Sequence, residues 1–482
     1  MAYEAVIGLE VHVELSTKSK VFCGCSTHFN APANTNVCPV CLGMPGVLPV
    51  MNRAVVESAV AVGLALDCTI SKWSKMDRKN YFYPDLAKNY QISQYDLPLC
   101  HDGSIEIEVD GSRKRIGITR VHIEEDTARN VHTIGGEGGG PAQSGVDFNR
   151  SGVPLLEIVS EPDIRSAQEA YAYLTALKQI LQYLGVSDCN MEEGSLRAEA
   201  NISIRPVGAT QFGVKTEVKN VASFSGTQKA IEFEVARQRE VIESGGTVVQ
   251  ETRGWDADRG ITVSQRSKES AHDYRYFPEP DLVPIAIDEA FVERIRSAMP
   301  ELPKARFGRF QAEYGLNAYD AGVLTANKSM ADYFEEVVRS GAPAKQAANW
   351  IMGDLQALLV ENKTDIAACP VSAVNLAAMI ALIEQGTISG KIAKELLPAM
   401  FDTGKAPKTL VEEKGLVQIS DTDAIEKAVH SVVAAHPGPV ADYRAGKKQA
   451  MGFLVGQVMK ATQGKANPKL VNEILMRELN NG

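Results

Sequence analysis

Apolar residues recur with two different periods along this chain, and the change falls near Pro278-Glu279-Pro280-Asp281. Before it, Val6-Ile7-Gly8-Leu9-Glu10-Val11-His12-Val13-Glu14 alternates apolar and polar, the period of a half-buried strand. Residues 105–109, 115–125 and 195–204 repeat the pattern, and Asp110-Gly111 between the first two runs is a hairpin signal. Two helices interrupt the strands. The first starts near Ser166 with Glu169 completing a capping box, carries Tyr171, Leu174, Leu177, Leu181 and Leu184 as its apolar stripe, and stops at Gly185. The second runs from about Gly226 to Glu243. From about residue 290 the spacing turns helical and alanine-rich. The pattern predicts a mixed α+β domain on a large antiparallel sheet, followed by an all-α region. Residues 404–408 read as a linker, and Asn467-Pro468 as the N-cap and first position of a final helix.

A length of 482 residues fits two to four domains, long enough to bury cores without staples. No run of about 18 apolar residues occurs, so no membrane span is expected. The opening Met1-Ala2-Tyr3-Glu4 lacks the basic flank and apolar stretch of a signal peptide, so a cytoplasmic location is expected. A net charge of −10 argues against coating nucleic acid by bulk electrostatics. Residues 443–482 nevertheless carry a net +5, which fits a solvated charged face or an anionic partner at the C-terminus. The glycine-rich run 135–140 reads as a surface loop, neither a P-loop nor a dinucleotide fingerprint. With no Walker A motif, any ATP site must be built another way.

Cys23-Gly24-Cys25 and Cys38-Pro39-Val40-Cys41 form two close pairs, the spacing that suits tetrahedral zinc. An all-sulfur set leaves no open position for chemistry, so the expectation is a structural Zn²⁺ clip. The other four cysteines read as buried thiols.

Acidic residues mark three strand segments. Glu10, His12 and Glu14 share one strand face, opposite Leu9, Val11 and Val13. His122-Ile123-Glu124-Glu125-Asp126 places three acids together, tolerable if solvated or neutralised by a cation. Glu157 interrupts the apolar run 155–159, so its carboxylate must be paired or bind metal. Oxygen-rich sets suit Mg²⁺, which usually joins carboxylates to substrate phosphates; a histidine among them also suits Mn²⁺. Residues 75–85, with Lys88, Tyr90 and Tyr95, mix cations and rings that can hold phosphates or stack on a base. Arg197, Glu199, Asn201 and Ser203 share one strand face, and Lys215, Glu217 and Lys219 another. Such faces fit either a wet binding cavity or solvated sheet surfaces.

Six segments together resemble the GatB family, the B subunits of aspartyl/glutamyl-tRNA amidotransferases. They are Ile7 to Leu15, Asp77-Arg78-Lys79-Asn80-Tyr81-Phe82-Tyr83-Pro84-Asp85, Leu155 to Asp163, Met191-Glu192-Glu193-Gly194-Ser195-Leu196-Arg197, Asp273 to Asp281, and Met451 to Lys460. The resemblance implies a cradle domain at 1–292, a helical domain at 293–404 and a tRNA-binding YqeY-like tail at 405–482, with the GatB/YqeY-related region spanning about 329–480. It implies a bacterial or organellar heterotrimer with a glutaminase A subunit and a small C subunit. The B subunit would bind misacylated Glu-tRNA(Gln) or Asp-tRNA(Asn) and phosphorylate the side-chain carboxylate with ATP, so that ammonia forms the amide. Motif matching places the Mg²⁺ ligands on His12, Glu124 and Glu157. Glu10 and Glu125 are expected beside them, supporting the ligands or holding a second metal, and Glu125 alternatively as proton acceptor from ammonium. Lys79, Arg197, Lys215 and Arg275 are expected at the nucleotide. Two rivals remain open at this stage: a metal-dependent ATP ligase acting on a small carboxylate, and a non-catalytic tRNA-binding scaffold.

Overall fold

The computed structural model describes residues 2–134, 143–267, 273–416, 422–462 and 466–481. The glycine-rich run at 135–140 lies outside the described residues. The chain divides into two compact units, Met1–Leu302 and Pro303–Gly482.

The first unit is built on a nine-stranded sheet. Its strands lie in the spatial order Ile261–Ser267, Glu251–Asp256, Thr216–Lys219, Leu196–Pro206, Tyr3–Glu14, Pro154–Ser160, Ser112–Glu125, Cys100–Val109, Thr69–Ile70. Every neighbouring pair is antiparallel except Thr216–Lys219 with Glu251–Asp256, which is parallel. The sheet is therefore mixed rather than wholly antiparallel. The cause is the connection between those two strands: it contains the helix Phe224–Glu243, and a helical crossover returns the chain in the same direction. Asp110 (φ 51°) and Gly111 (φ 75°) both adopt the left-handed conformation that a two-residue primed hairpin turn requires.

One face of the sheet carries Leu9, Val11, Val13, Val121, Ile123, Leu156, Ile158, Ala198, Ala200 and Ile202, all packed under helices Arg53–Ala65, Ala167–Leu184 and Phe224–Glu243. Ser166 caps Ala167–Leu184 by accepting from Glu169 N (3.1 Å), and Gly185 closes it at φ 69°. Glu169 reaches one residue further than a capping box, accepting from Arg165 N at 2.7 Å. Tyr171, expected in the apolar stripe, is 42% exposed, and Tyr173 fills the core instead. Phe224–Glu243 begins two residues before the expected start because Ser223 caps it, accepting from Gly226 N.

A small three-stranded sheet of Asp77–Asn80, Tyr90–Ser93 and Phe277–Pro278 belongs to the same unit. Arg78 locks it with a bidentate pair to buried Glu279 at 2.6 and 2.8 Å.

The second unit is helical. One apolar core runs from Phe310 to Val411, and a separate one from Ile425 to Leu479. Of residues 404–408, expected as a linker, 404–406 form a turn and 407–408 open the helix Pro407–Glu413; that helix and Gly390–Thr403 before the turn both pack in the first of these cores. Asn467 caps Pro468–Asn481 as expected, accepting from Lys469 N at 2.9 Å.

Candidate functional site

The second face of the nine-stranded sheet is polar, and strand register determines which of its side chains meet. Arg197, His12, Glu157 and His122 lie directly opposite one another on four adjacent strands, forming one rung. Residues in register project to the same side, so these four share a face. Glu199 and Glu10 form the adjacent rung.

His12 Nε2 lies 3.3 Å from Glu157 Oε2. Ligating atoms of His12, Glu124 and Glu157 all fall within 4.8 Å of one another. Glu124 is buried and accepts from Ser93 Oγ (2.7 Å), Gln91 Nε2 (3.1 Å) and His122 Nε2 (3.2 Å). The small sheet supplies the first two of those donors, so it stands over this end of the face. Burial opposes ionisation of Glu124, but Lys79 and the two imidazoles hold its pKa well below the usual carboxylate range. Burial likewise opposes ionisation of Glu157, which His122 and His12 hold low. Burial would lower His12; the hydrogen bond to Glu157 raises it instead. Two ionised, buried carboxylates beside an imidazole are the donors a hard divalent cation takes, and a cation relieves their repulsion. The residues present fit such an ion.

A second acidic group adjoins the first. Glu10, Glu199 and Glu217 bring carboxylate oxygens within 4.8 Å of one another. Asn201 Nδ2 donates to Glu10 at 2.8 Å, Thr252 Oγ1 donates to Glu217 at 2.7 Å, and Lys219 Nζ reaches Glu199 at 2.7 Å. Burial, then Glu157 and Glu199, push the Glu10 pKa up.

The expected cofactor contacts divide. Lys79 Nζ lies 5.3 Å over the Tyr274 ring. Burial would lower its pKa, yet Glu124, Tyr276 and Glu157 raise it. Arg197 shares the His12 rung, with one Nη 2.9 Å from buried Asp126. Lys215 is exposed just before its strand begins, and Lys219 takes the place among the acids. Arg275 is exposed with a left-handed backbone (φ 44°), and no described contact brings its guanidinium to the cluster.

Glu125 departs from its expected place. Consecutive strand residues point to opposite faces. Its carboxylate accepts from Lys88 Nζ (2.7 Å) and Ile92 N (2.8 Å), away from His12 and Glu157. It lines a cavity of about 210 Å³ with Lys88 and Cys41. His122, Asp126, Glu199 and Glu217 were not among the expected site residues. Alternation from Glu124 was the available signal for His122. Asp126 pairs with Arg197 and Arg150, and with burial it pushes the Glu14 carboxyl up to about 8.

The sulfur atoms of Cys23, Cys25, Cys38 and Cys41 also lie within 4.8 Å of one another, with Cys38 and Cys41 at 4.0 Å. Tetrahedral Zn–S bonds of about 2.3 Å place sulfurs about 3.8 Å apart, so the cluster can bind a metal ion of this kind. Lys20, fully buried, sets its Nζ 3.6 Å from Cys41 Sγ and 2.8 Å from Asn36 O. A hydrogen bond from Cys23, and then Lys20 among smaller contributions, hold the Cys41 thiol down to about 4.

Residues 5–293, which carry the nine-stranded sheet and the clusters on its polar face that could hold a metal ion, match the family described as GatB/GatE catalytic domain. Residues 332–479 match the family described as GatB domain. The chain is 59% identical over 480 residues to the B subunit of aspartyl/glutamyl-tRNA(Asn/Gln) amidotransferase from Geobacter sulfurreducens, covering 99% of this chain and 100% of that one. It is 56% identical over 477 residues to the protein of the same name from Carboxydothermus hydrogenoformans, with 99% of each covered. The counterpart from Moorella thermoacetica is 59% identical over 479 residues, 99% of this chain and 100% of that one. The chain belongs to the GatB family, the B subunits of tRNA-dependent amidotransferases, which are glutamine-dependent ligases that work as multi-subunit complexes. Among the described residues, no helix is long and apolar enough to cross a membrane.

Proposed function

We propose that the polar face of the sheet phosphorylates the side-chain carboxylate of Glu-tRNA(Gln) or Asp-tRNA(Asn) with ATP. The observation that carries this reading is the convergence of His12, Glu124 and Glu157, from three different strands, within 4.8 Å. A carboxylate resists attack by ammonia because oxide is a poor leaving group. In the proposed reaction a carboxylate oxygen attacks the γ-phosphorus of ATP and ADP departs. Ammonia then adds to the acyl phosphate carbon, inorganic phosphate leaves, and the nitrogen loses a proton.

Phosphoryl transfer needs alignment and charge stabilisation more than covalent help. His12, Glu124 and Glu157 would hold a divalent cation, Mg²⁺ or Mn²⁺, which neutralises phosphate charge when bound. Glu10, with Glu199 and Glu217, would hold a second. Lys79 and Arg197 flank the cluster as cations for phosphate oxygens. The cysteine cluster would hold a structural Zn²⁺ outside the chemistry.

The partners of this reading are a glutaminase A subunit that releases ammonia, a small C subunit completing a heterotrimer, and the misacylated tRNA, acting together in the cytoplasm. The +5 charge of residues 443–482 supports assigning tRNA contact to the tail at 405–482, beyond the helical domain at 293–404. The test is His12→Ala or Glu157→Ala in the reconstituted complex. ATP-dependent amidation should be lost while glutaminase activity of the partner persists. Near-normal amidation by both variants would end the assignment.

A further inference from the structure

His122 stands in the same rung as His12 and Glu157, and none of the roles above uses it. The two imidazoles flank Glu157 from neighbouring strands and approach the same oxygen: His12 Nε2 at 3.3 Å and His122 Nε2 at 3.6 Å from Oε2. His122 Nε2 also lies 3.2 Å from Glu124 Oε1. Exposure separates the pair: the His12 side chain is 17% exposed, that of His122 only 2%. A ring nitrogen facing carboxylate oxygens carries the hydrogen in either protonation state, so Nε2 of His122 is a donor. Its other nitrogen, Nδ1, is buried with no hydrogen-bond partner. A buried ring that leaves a nitrogen unsatisfied costs stability, which points to a purpose at Nε2.

Glu124 is held from its other side by Ser93 and Gln91, neither of which has a described contact with Glu157. Among the described residues, the side chain within hydrogen-bonding or ion-pair reach of both carboxylates is His122.

We infer that His122 is a positioning residue, whose Nε2–H spans Glu124 and Glu157 and sets the separation of the two carboxylates for a divalent cation. The inference rests on the cation reading given under Proposed function. His122 stands outside the set of ligating atoms that converge within 4.8 Å, and its side chain is only 2% exposed.

The test is Mn²⁺ binding to the full chain, followed by electron paramagnetic resonance titration, with Glu157→Gln as the reference for the site. Glutamine at 122 can put an amide donor near the Nε2 position, and asparagine is too short to reach it. His122→Gln should bind Mn²⁺ within about threefold of the parent chain. His122→Asn should weaken binding roughly 10–100-fold, the usual loss when a partner of a metal ligand is removed. Nitrogen coupling to bound Mn²⁺ should come from His12 alone and survive in His122→Gln. Binding by His122→Asn within twofold of the parent, or equal weakening by both variants, would overturn the inference. A second histidine coupling that disappears in His122→Gln would replace positioning by direct ligation. Should the asparagine variant fail to fold, a loss beyond tenfold in His122→Gln decides against it. If Glu157→Gln leaves Mn²⁺ binding untouched, the cation reading itself fails, whereas binding that needs Glu157 but ignores position 122 removes only this inference.

Discussion

Glu157→Gln is the most discriminating change to the proposed cation site. Glu157 lies between Leu156 and Ile158, both fully buried, so only an isosteric replacement leaves the packing intact. Its carboxylate meets His12 at 3.3 Å and His122 at 3.6 Å, and an amide there keeps the shape while removing one of the two charges that pair with the ion. A cation present at a hundred times its Kd stabilises the folded state by about 2.7 kcal/mol. If the amide raises Kd a hundredfold, the same concentration contributes only ~0.4 kcal/mol. At roughly 2 °C per kcal/mol for a unit this large, a cation-induced shift of about 5 °C shrinks to about 1 °C. Calorimetric melting with and without Mg²⁺ or Mn²⁺ reads the difference directly, and amidation by the reconstituted complex should fall with it. An unchanged cation-induced shift in Glu157→Gln would refute the reasoning, because the site would then not need this carboxylate.

The Glu14 carboxyl, pushed up to about 8 by burial and Asp126, makes a pH prediction. Between about pH 4.5 and 8 the unfolded chain ionises Glu14 while the folded chain keeps it protonated, so this group makes stability fall as pH rises through that window. Glu14→Gln should lack that fall, its melting temperature gaining on the parent up to about pH 8 and then levelling; parallel curves would contradict it. If the cysteine cluster holds the proposed Zn²⁺, a chelator should speed amide exchange across residues 19–52, because Asn52 ties that loop to the cap of helix Arg53–Ala65. Exchange indifferent to chelator would remove the structural clip. Deleting residues 422–482, which carry the second helical core and leave helix Pro407–Glu413 in the first, should weaken binding of mischarged tRNA while the Mn²⁺ affinity of the remaining chain holds, and filter binding checks the first half of that statement.

Period-two alternation was enough to place Glu10, His12 and Glu14 on one face, and an acid inside an apolar run was enough to single out Glu157. These are local signals, and local geometry obeys them. Alternation also separates Glu124 from Glu125, yet an acidic triplet at a strand end invites treating the two together; the pleat sends one to His122 and the other to Lys88. Lys215 and Lys219 share a parity, but the strand starts at Thr216, and a boundary of one residue decides which lysine meets Glu199. The parallel strand pair was not legible, because it depends on where a helical crossover returns rather than on any repeat within a strand. Glu199 and Glu217 come from strands with a long-range pairing, so no spacing in the sequence brings them beside Glu10.

The rung that assembles the site has a counterpart on the other side of the sheet. Val11 pairs with Ala198 and Ile158, and Ile158 with Val121, one residue away from the polar rung on every strand. All four are buried beneath the helices. A slip of one residue in any of these pairings would drive a carboxylate or imidazole into that core and lift an aliphatic side chain into the site. The cost of burying an unpaired charge, several kcal/mol, forbids it. The alignment of His12, Glu157 and His122 is thus enforced by apolar packing they do not touch. Cavity-forming changes under the sheet, such as Leu177→Ala, at about 2–5 kcal/mol, should therefore loosen cation binding as well as lower stability.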